Sequence, residues 1–235
     1  MAQRTYEDPC GIARALDLLG ERWALLVVRE LLYGPKRFGD LQRGLAHISQ
    51  NVLSDRLHEL QGGAIVERVR LGPPASTTAY ALTGRGRDLR PVLTALGRWG
   101  SMLPVGDGGV MSPDAALFAL ESTFDATADP GLEVRAEVRV AGDVFAIRAG
   151  EAALLVRRGS DQGADLVLDI DVEALRDLAF GGVPLAVLVA EGRARCERST
   201  RLAERLFACF PRPAAENAGS GMRDILAAEA RRPST

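Results

Sequence analysis

The segment SQNVLSDRLHELQGG, residues 49–63, places short hydrogen-bonding side chains on one face of a predicted helix. At about 100° per residue, its apolar side chains share one side of the helix: Leu53, Leu57 and Leu60. The opposite side carries Asn51, Ser54, Asp55 and His58. An amide can bind adenine through two hydrogen bonds, a hydroxyl can pair with several bases, and a carboxylate can accept from the amino group of cytosine. This face therefore has the chemistry to contact base edges, and a plain solvated surface is the alternative.

Two preceding helices would position this face. Residues 12–33 carry apolar residues at helical spacing, which predicts a helix that ends at the turn YGPKRF. A second short helix is predicted from about Phe38 to Leu45. Helix, turn and helix is the arrangement that places its last helix in the major groove of DNA.

A hairpin should follow this helix. The segment AIVERVRLGPPASTTAYALT predicts two short strands around a Gly-Pro-Pro turn, with Arg68 and Arg70 on one side of the first strand. Thr83 can then cap another helix, which Pro91 should bend early and which runs toward Leu103. Together these elements predict a winged helix, whose hairpin would lie over phosphates or the minor groove.

The charge distribution supports this interpretation for the first part of the chain. Residues 1–104 hold 14 Lys and Arg against 10 Asp and Glu, whereas residues 105–235 hold 15 against 21. Arg37 and Arg56 flank the predicted helices and could contact phosphates, or could simply pair with nearby carboxylates. The complete set of candidate DNA contacts is Arg37, Ser49, Gln50, Asn51, Ser54, Asp55, Arg56, His58, Arg68 and Arg70.

Other site chemistry has little support in the sequence. The only histidines, His47 and His58, have no carboxylate cluster around them, so we expect neither a metal site nor a cofactor. No nucleophile and base pair is evident, so we do not expect an enzyme. Cys10, Cys196 and Cys209 are widely spaced and odd in number, and they should be free thiols.

The first part of the chain resembles a known family. The stretch from DPCGIARALDLLGERW to GGAIVERV, followed by TTAYALTGRGRDLRPVLTALGRWG, is similar to HxlR-type, MarR-like winged-helix transcriptional regulators over nearly all of residues 8–101. The resemblance implies a homodimer, joined by the first and last helices of the domain, on an approximately palindromic operator in double-stranded DNA. Relatives often have Lys or Arg early in the recognition helix. Here Asn51 and Asp55 are present, so base contacts should count for more.

Cys10 stands just before the first predicted helix, where the helix dipole would favour a thiolate. Some HxlR-type relatives use the cysteine at this motif position as a redox or electrophile sensor, so the resemblance makes Cys10 a candidate sensor. Glu7 and Asp8 lie close by and would oppose a thiolate, and a structural role at the helix start is the alternative.

The second part of the chain begins after the interruption PVGDGGVMSP, residues 104–113. LEVRAEVRV, residues 132–140, alternates strictly and predicts a strand with Glu133, Arg135, Glu137 and Arg139 on a wet face. Further strands are predicted at VFAIRA, AALLVRR and ADLVLDIDV, and an edge strand at RARCER. One helix is predicted ahead of the strands, at residues 117–124. Three more helices are predicted at DVEALRDLAFGG, VPLAVLVAEG and STRLAERLFACF. The fold class is therefore α+β, with a winged helix-turn-helix domain at 1–104, a mainly antiparallel α+β domain at 105–212 and a loose tail at 213–235.

Residues 113–212 resemble sterol carrier protein type 2-like domains, less specifically than the first match. Such domains bind apolar molecules in a tunnel between sheet and helices, which implies a hydrophobic small-molecule effector. For any single lining candidate a simple role in the core is favoured over a role in ligand binding; the candidates are Phe118, Phe124, Phe145, Leu175, Phe180, Leu188, Leu206 and Phe210.

These expectations combine into a DNA-binding transcriptional regulator, with repression as the expected mode of action. A hydrophobic effector would change the spacing of paired recognition helices through a hinge at PVGDGGV. The alternative is a hydrophobic-ligand or lipid carrier in which the winged helix serves dimerisation. No apolar run reaches the roughly 20 residues that cross a bilayer, and the N-terminus lacks the apolar core of a signal peptide, so we expect a cytoplasmic protein without a membrane partner.

Overall fold

The computed structural model describes residues 5–72, 77–103, 109–151 and 153–210. The first 104 residues contain six helices and one hairpin within the described ranges. In chain order these are α1 (Gly11–Leu19), α2 (Ala24–Glu30), α3 (Phe38–Gly44), α4 (Gln50–Gly62), β1 (Val66–Arg70), β2 (Thr78–Leu82), α5 (Gly84–Arg87) and α6 (Arg90–Gly100). The predicted helix-turn-helix and wing are therefore present, and the fold class is confirmed.

The single helix predicted over residues 12–33 is wrong, because the chain forms two helices there. The backbone turns between Gly20 and Trp23, and Trp23 has a left-handed φ of 81° that no continuous helix accommodates. The turn lets α1 pack on α4 while α2 packs on α4 and on a later helix. Periodicity alone did not indicate the turn, since the apolar spacing continues through it.

The wing is an antiparallel hairpin that is also tied to the turn before α3. Val66 pairs with Leu82 and Arg70 with Thr78, and the described part of the hairpin excludes residues 73–76, where the Gly-Pro-Pro turn was predicted. Lys36 adds a short bridge, since its backbone N–H donates to the Tyr80 carbonyl at 2.9 Å and its carbonyl accepts from Tyr80 N–H at 2.8 Å. The hairpin and the helix-turn-helix therefore share backbone hydrogen bonds.

The predicted helix after the wing is divided. Thr83 caps the short helix α5, with its hydroxyl accepting from Gly86 N–H, and Pro91 lies in the first turn of α6. The interruption at Asp88 and Leu89 agrees with an effect of Pro91, because proline has no N–H to bond to the Arg87 carbonyl; Pro91 is tolerated in the first turn of α6, where that N–H is not needed.

The later part of the chain is a five-stranded sheet with helices. Its elements are α7 (Pro113–Thr123), β3 (Val134–Val140), β4 (Asp143–Ala149), β5 (Leu154–Arg158), β6 (Leu166–Ile170), α8 (Val172–Arg176) with a π-helical turn (Asp177–Gly181), α9 (Leu185–Ala190), β7 (Ala194–Glu197) and α10 (Thr200–Ala208). The strand order is β5-β4-β3-β6-β7, with β3 and β6 parallel and the other pairs antiparallel. RARCER is thus the expected edge strand. Asp171 caps α8, and Gly182 ends the following turn with a φ of 71°, which favours glycine.

One residue of the expected wet face of β3 is buried. Arg135 and Arg139 are exposed as predicted, but Glu137 is buried and accepts hydrogen bonds from Arg139 and from the backbone N–H of Asp161. Burial alone would raise the pKa of Glu137, but these hydrogen bonds and the Arg139 charge outweigh it and hold that pKa below its usual value. The strict alternation did not reveal that the loop after β5 covers this position.

Helix α7 joins the two parts of the structure, because it packs against α2, α3 and α6 as well as against β5 and α8. The hydrophobic core runs without a break from the helix-turn-helix into the sheet, and the Tyr33 ring meets the Phe145 ring edge-on at 5.8 Å. The predicted hinge falls largely on residues 104–108, and the predicted tail covers residues 213–235; both of these ranges lie outside the described residues.

Candidate nucleic-acid interface

Helix α4 has the two unlike faces that its sequence predicts. Ser49 begins it, with its hydroxyl accepting from Val52 N–H at 3.3 Å. Leu53, Leu57 and Leu60 are fully buried against the core. Burying one leucine side chain contributes on the order of 2 kcal/mol, so the three fix the rotation of the helix about its axis.

The opposite face of α4 projects into solvent. Its exposed side chains are Gln50, Asn51, Ser54, Asp55 and His58. Within the part of the chain that the structure describes, none of these five side chains has a hydrogen-bond or ion-pair partner. Their donors and acceptors are therefore free to meet an external polar surface.

Three of the four candidate arginines are exposed around this helix. Arg37 is the residue before α3 and its backbone N–H donates to Asp40 at 3.3 Å, which leaves its guanidinium unpaired among the described side chains. Arg68 lies over the Tyr80 ring at 5.6 Å, and Arg70 is exposed on the same side of β1. The two arginines of the wing therefore point in one direction, as their spacing predicted.

Arg56 differs from the other three arginines. Its side chain is only 13% exposed, and it pairs with Glu59 and, at 3.9 Å, with Glu21. Of the two alternatives for Arg56, the structure shows the carboxylate pairing. A guanidinium held in this way has few donors left for a phosphate.

Lys36 lies at the centre of a buried charge network that the sequence analysis did not identify. Its ammonium donates to Glu30 at 2.7 Å and to Asp114 of α7 at 2.6 Å, and both carboxylates are buried. Ser112 adds a hydrogen bond to Glu30 at 2.6 Å, and Arg158 one to Asp114 at 2.6 Å. A buried charge network therefore joins the turn before α3 to α7 and β5. Its only signal in the sequence is that Lys36 is the sole lysine of the chain.

A second connection lies about two helical turns farther along α7. The Tyr33 hydroxyl donates to Glu121 of α7 at 2.6 Å, and Arg90 of α6 also pairs with Glu121. Burial and the Glu121 carboxylate both raise the pKa of Tyr33 far above its usual value, so Tyr33 remains a neutral donor.

Apolar side chains are exposed on α1, on α6 and just after α6. They are Ile12, Leu16, Val92, Leu96, Trp99, Met102 and Leu103. Trp99 is 57% exposed and Ile12 is 72% exposed, and such exposure of large apolar side chains is typical of surfaces that bind a partner. These are the helices that the family resemblance assigns to a dimer interface.

The eight predicted effector-lining residues lie in the core. Seven of them are buried and Phe180 is half-buried. Phe210 makes edge contacts with Phe124 at 5.9 Å and with Phe180 at 6.2 Å. These side chains pack against one another, and none of the eight lines the cleft beside Lys36 or the groove beside Trp99.

The three cysteines differ in exposure. Cys10 is exposed at the start of α1, and its N–H donates to Asp8 at 2.8 Å. Burial raises the pKa of both the Cys196 and the Cys209 thiols, so neither is a ready nucleophile. All three are free thiols.

Among the described residues, no three His, Cys, Asp or Glu side chains are grouped as metal ligands. No helix within those residues combines the length and the apolar character needed to span a bilayer.

Comparison with known proteins identifies relatives of the first part of the chain. The family model described as HxlR-like helix-turn-helix matches residues 18–104. The HTH-type transcriptional regulator YvaP of Bacillus subtilis is 36% identical over 86 residues, which are 37% of this chain and 80% of YvaP. The HTH-type transcriptional regulator YodB of B. subtilis is 39% identical over 85 residues, 36% of this chain and 76% of YodB.

A third relative is matched over a smaller share of its own length. The HTH-type transcriptional regulator Rv3095 of Mycobacterium tuberculosis is 42% identical over 89 residues, which are 38% of this chain and 56% of Rv3095. The chain thus spans little more than half the length of this relative.

Proposed function

Because this chain belongs to the HxlR-like helix-turn-helix family, we propose that it is a DNA-binding transcriptional regulator that acts as a repressor. The observation that carries the proposal is the solvent-facing side of α4, where Asn51, Ser54, Asp55 and His58 have no partner within the described residues. The named relatives are HTH-type transcriptional regulators, which supports the same function.

In this function the two kinds of contact have separate roles. Asn51 and Ser54 would read base edges in the major groove, and Asp55 would accept from a cytosine amino group. Arg37, Arg68 and Arg70 would hold phosphates, because their guanidinium groups are exposed and free of carboxylates. Asp55 repels phosphate, so binding should depend more on sequence than it does for a helix with several cations.

We expect the active species to be a homodimer on an approximately palindromic operator. The exposed apolar side chains of α1 and α6, including Ile12 and Trp99, support this expectation, because dimerisation would remove them from water. Two recognition helices must lie about 34 Å apart, or a multiple of that distance, to enter successive turns of one groove.

Control by an effector would act through the second part of the chain. Helix α7 contacts α2, α3 and α6, so a change in the position of α7 would directly displace the helices of the helix-turn-helix. The hydrophobic effector stays a prediction. Its site among the eight core side chains would require packed rings such as Phe124 and Phe210 to separate.

Fluorescence anisotropy with DNA selected from the source genome tests the proposed function. We expect tight binding that weakens steeply with salt. Asn51→Ala should weaken specific binding by about tenfold, because one bidentate contact contributes about 1–3 kcal/mol of base discrimination. Gln162→Ala removes an exposed amide of the second part and serves as the matched control. Equal, weak binding to every selected and scrambled sequence would refute the proposal and favour the carrier alternative.

A further inference from the structure

A cleft of about 820 Å³ opens where the helix-turn-helix meets the second part of the chain. Its sides come from α3, the segment before α7, the turn between β3 and β4, and the start of α8. Apolar atoms of Pro35, Val110, Met111, Pro113, Ala141 and Val172 contribute to these sides. The volume falls within the roughly 300–1,000 Å³ of small-molecule sites.

The floor of the cleft offers hydrogen-bond donors. Asp114 is 1% exposed, and its two oxygens already accept from Lys36 and Arg158. The Lys36 side chain is 12% exposed and that of Arg158 is 30% exposed. The Lys36 ammonium has three N–H donors, two of which bond to Glu30 and Asp114. The Arg158 guanidinium has five N–H donors, two of which bond to Asp143 and Asp114. A molecule that reaches the floor therefore meets unused N–H groups and no accessible carboxylate of Asp114.

The mouth of the cleft adds little net charge. Asp40 pairs with Arg43, Asp143 with Arg158, and Asp171 with Arg193 at 3.5 Å. The remaining pair of opposite charges at the rim consists of Glu173 and Arg176. The lining as a whole holds four cations and five carboxylates, so a bound anion would be held by directed hydrogen bonds from the unused donors on the floor and not by net charge.

We propose that this cleft binds a small organic acid, with its carboxylate on Lys36 and Arg158 and its apolar body against Met111 and Val172. Carboxylates form charge-assisted hydrogen bonds with both cations, and a guanidinium suits their planar geometry. A bare inorganic anion would leave the apolar sides of the cleft unfilled. The preferred ligand therefore combines an acid group with a hydrocarbon or aromatic body.

The acid would act on the DNA-binding elements through Lys36. The backbone of this residue holds Tyr80 of the wing by two hydrogen bonds, and Arg37, the next residue, is the N-cap of α3. A carboxylate on the Lys36 ammonium competes with Asp114 for it and so loosens the connection between α7 and the wing. This regulatory role rests on the proposed function, whereas the binding site itself does not.

Fluorine NMR of 4-fluorobenzoate with the purified full chain tests the site. We expect saturable broadening of the fluorine signal, and none with the neutral isostere 4-fluorobenzamide. Octanoate should displace the probe, and inorganic phosphate should displace it only weakly. Equal broadening by acid and amide, or displacement by phosphate as effective as that by octanoate, would overturn the inference.

Variants locate the probe in the cleft. Arg158→Met should weaken probe binding by about tenfold, the effect of losing one charge-assisted hydrogen bond. Arg195→Gln removes an exposed arginine of β7 and is the matched control, which we expect to bind as the unaltered chain does. Val110→Asp introduces a repelling carboxylate at an exposed wall position and covers the case in which Arg158→Met fails to fold. Unchanged binding in both cleft variants would refute the site.

Anisotropy on the same preparations separates the two proposals. Specific DNA binding in a protein that does not broaden the 4-fluorobenzoate signal would reject the cleft and leave the proposed function standing. Probe binding that depends on Arg158 in a protein without specific DNA binding would support the site and reject the proposed function. We expect both activities, with 4-fluorobenzoate lowering DNA affinity.

Discussion

Replacing Lys36 with methionine removes the cation that Glu30 and Asp114 share. Glu30 is 0% exposed and Asp114 is 1% exposed, so neither carboxylate can recover the lost hydrogen bond from water. Removing one partner of a buried ion pair costs about 3–5 kcal/mol. We expect the lower end, about 3 kcal/mol, because Asp114 keeps Arg158 and Glu30 keeps Arg29, each through a hydrogen bond of 2.8 Å or less.

Urea unfolding followed by circular dichroism measures this loss in the free energy of unfolding. Arg43→Met is the matched control, because Arg43 is 78% exposed and its ion pair with Asp40 should contribute about 0–1 kcal/mol. Adding Asp114→Asn to Lys36→Met should restore part of the stability, since it removes one of the stranded charges. If Lys36→Met costs no more than Arg43→Met, the network does not stabilise the structure by charge pairing and the reasoning is refuted.

Three further predictions concern α4, the second part of the chain and the thiols. Leu57→Ala should lower the free energy of unfolding by about 2–5 kcal/mol in urea titrations, because Leu57 is fully buried; a loss below 1 kcal/mol would contradict the packing of α4. Hydrogen bonds from Arg135 hold the pKa of Asp161 below its usual value, so the stability that it contributes is complete above about pH 4 and is lost as the pH falls. Asp161→Asn should therefore flatten the acid side of a stability profile, and an unchanged profile would exclude that contribution. Iodoacetamide at neutral pH should label the exposed Cys10 before Cys209, whose pKa burial raises, and peptide mass spectrometry showing the reverse order would contradict the structure.

The interface that we propose could be predicted from the sequence because local patterns determine it. The spacing of Leu53, Leu57 and Leu60 fixes which side of α4 is buried, and the opposite side follows from geometry. The alternation in the wing likewise places Arg68 and Arg70 on one side. Each of these relations spans only a few residues.

The connections between distant segments could not be predicted in this way. Lys36 and Asp114 are 78 positions apart, and neither has a neighbour that indicates the partner. The burial of Glu137 depends in the same way on a loop that follows another strand. Trp23 shows a different limit, since a left-handed residue interrupts the helix while the apolar spacing continues.

A boundary in composition therefore differs from a boundary in packing. The Gly- and Pro-rich stretch near residues 104–113 separates a basic part from an acidic part, but α7, which follows it, completes the core around α2 and α6. Tyr33 and Lys36 reach across to Glu121 and Asp114, and both carboxylates lie on this one helix. Because α7 also contacts β5 and α8, any change in the sheet that moves α7 must also move charged groups buried beneath the DNA-binding helices.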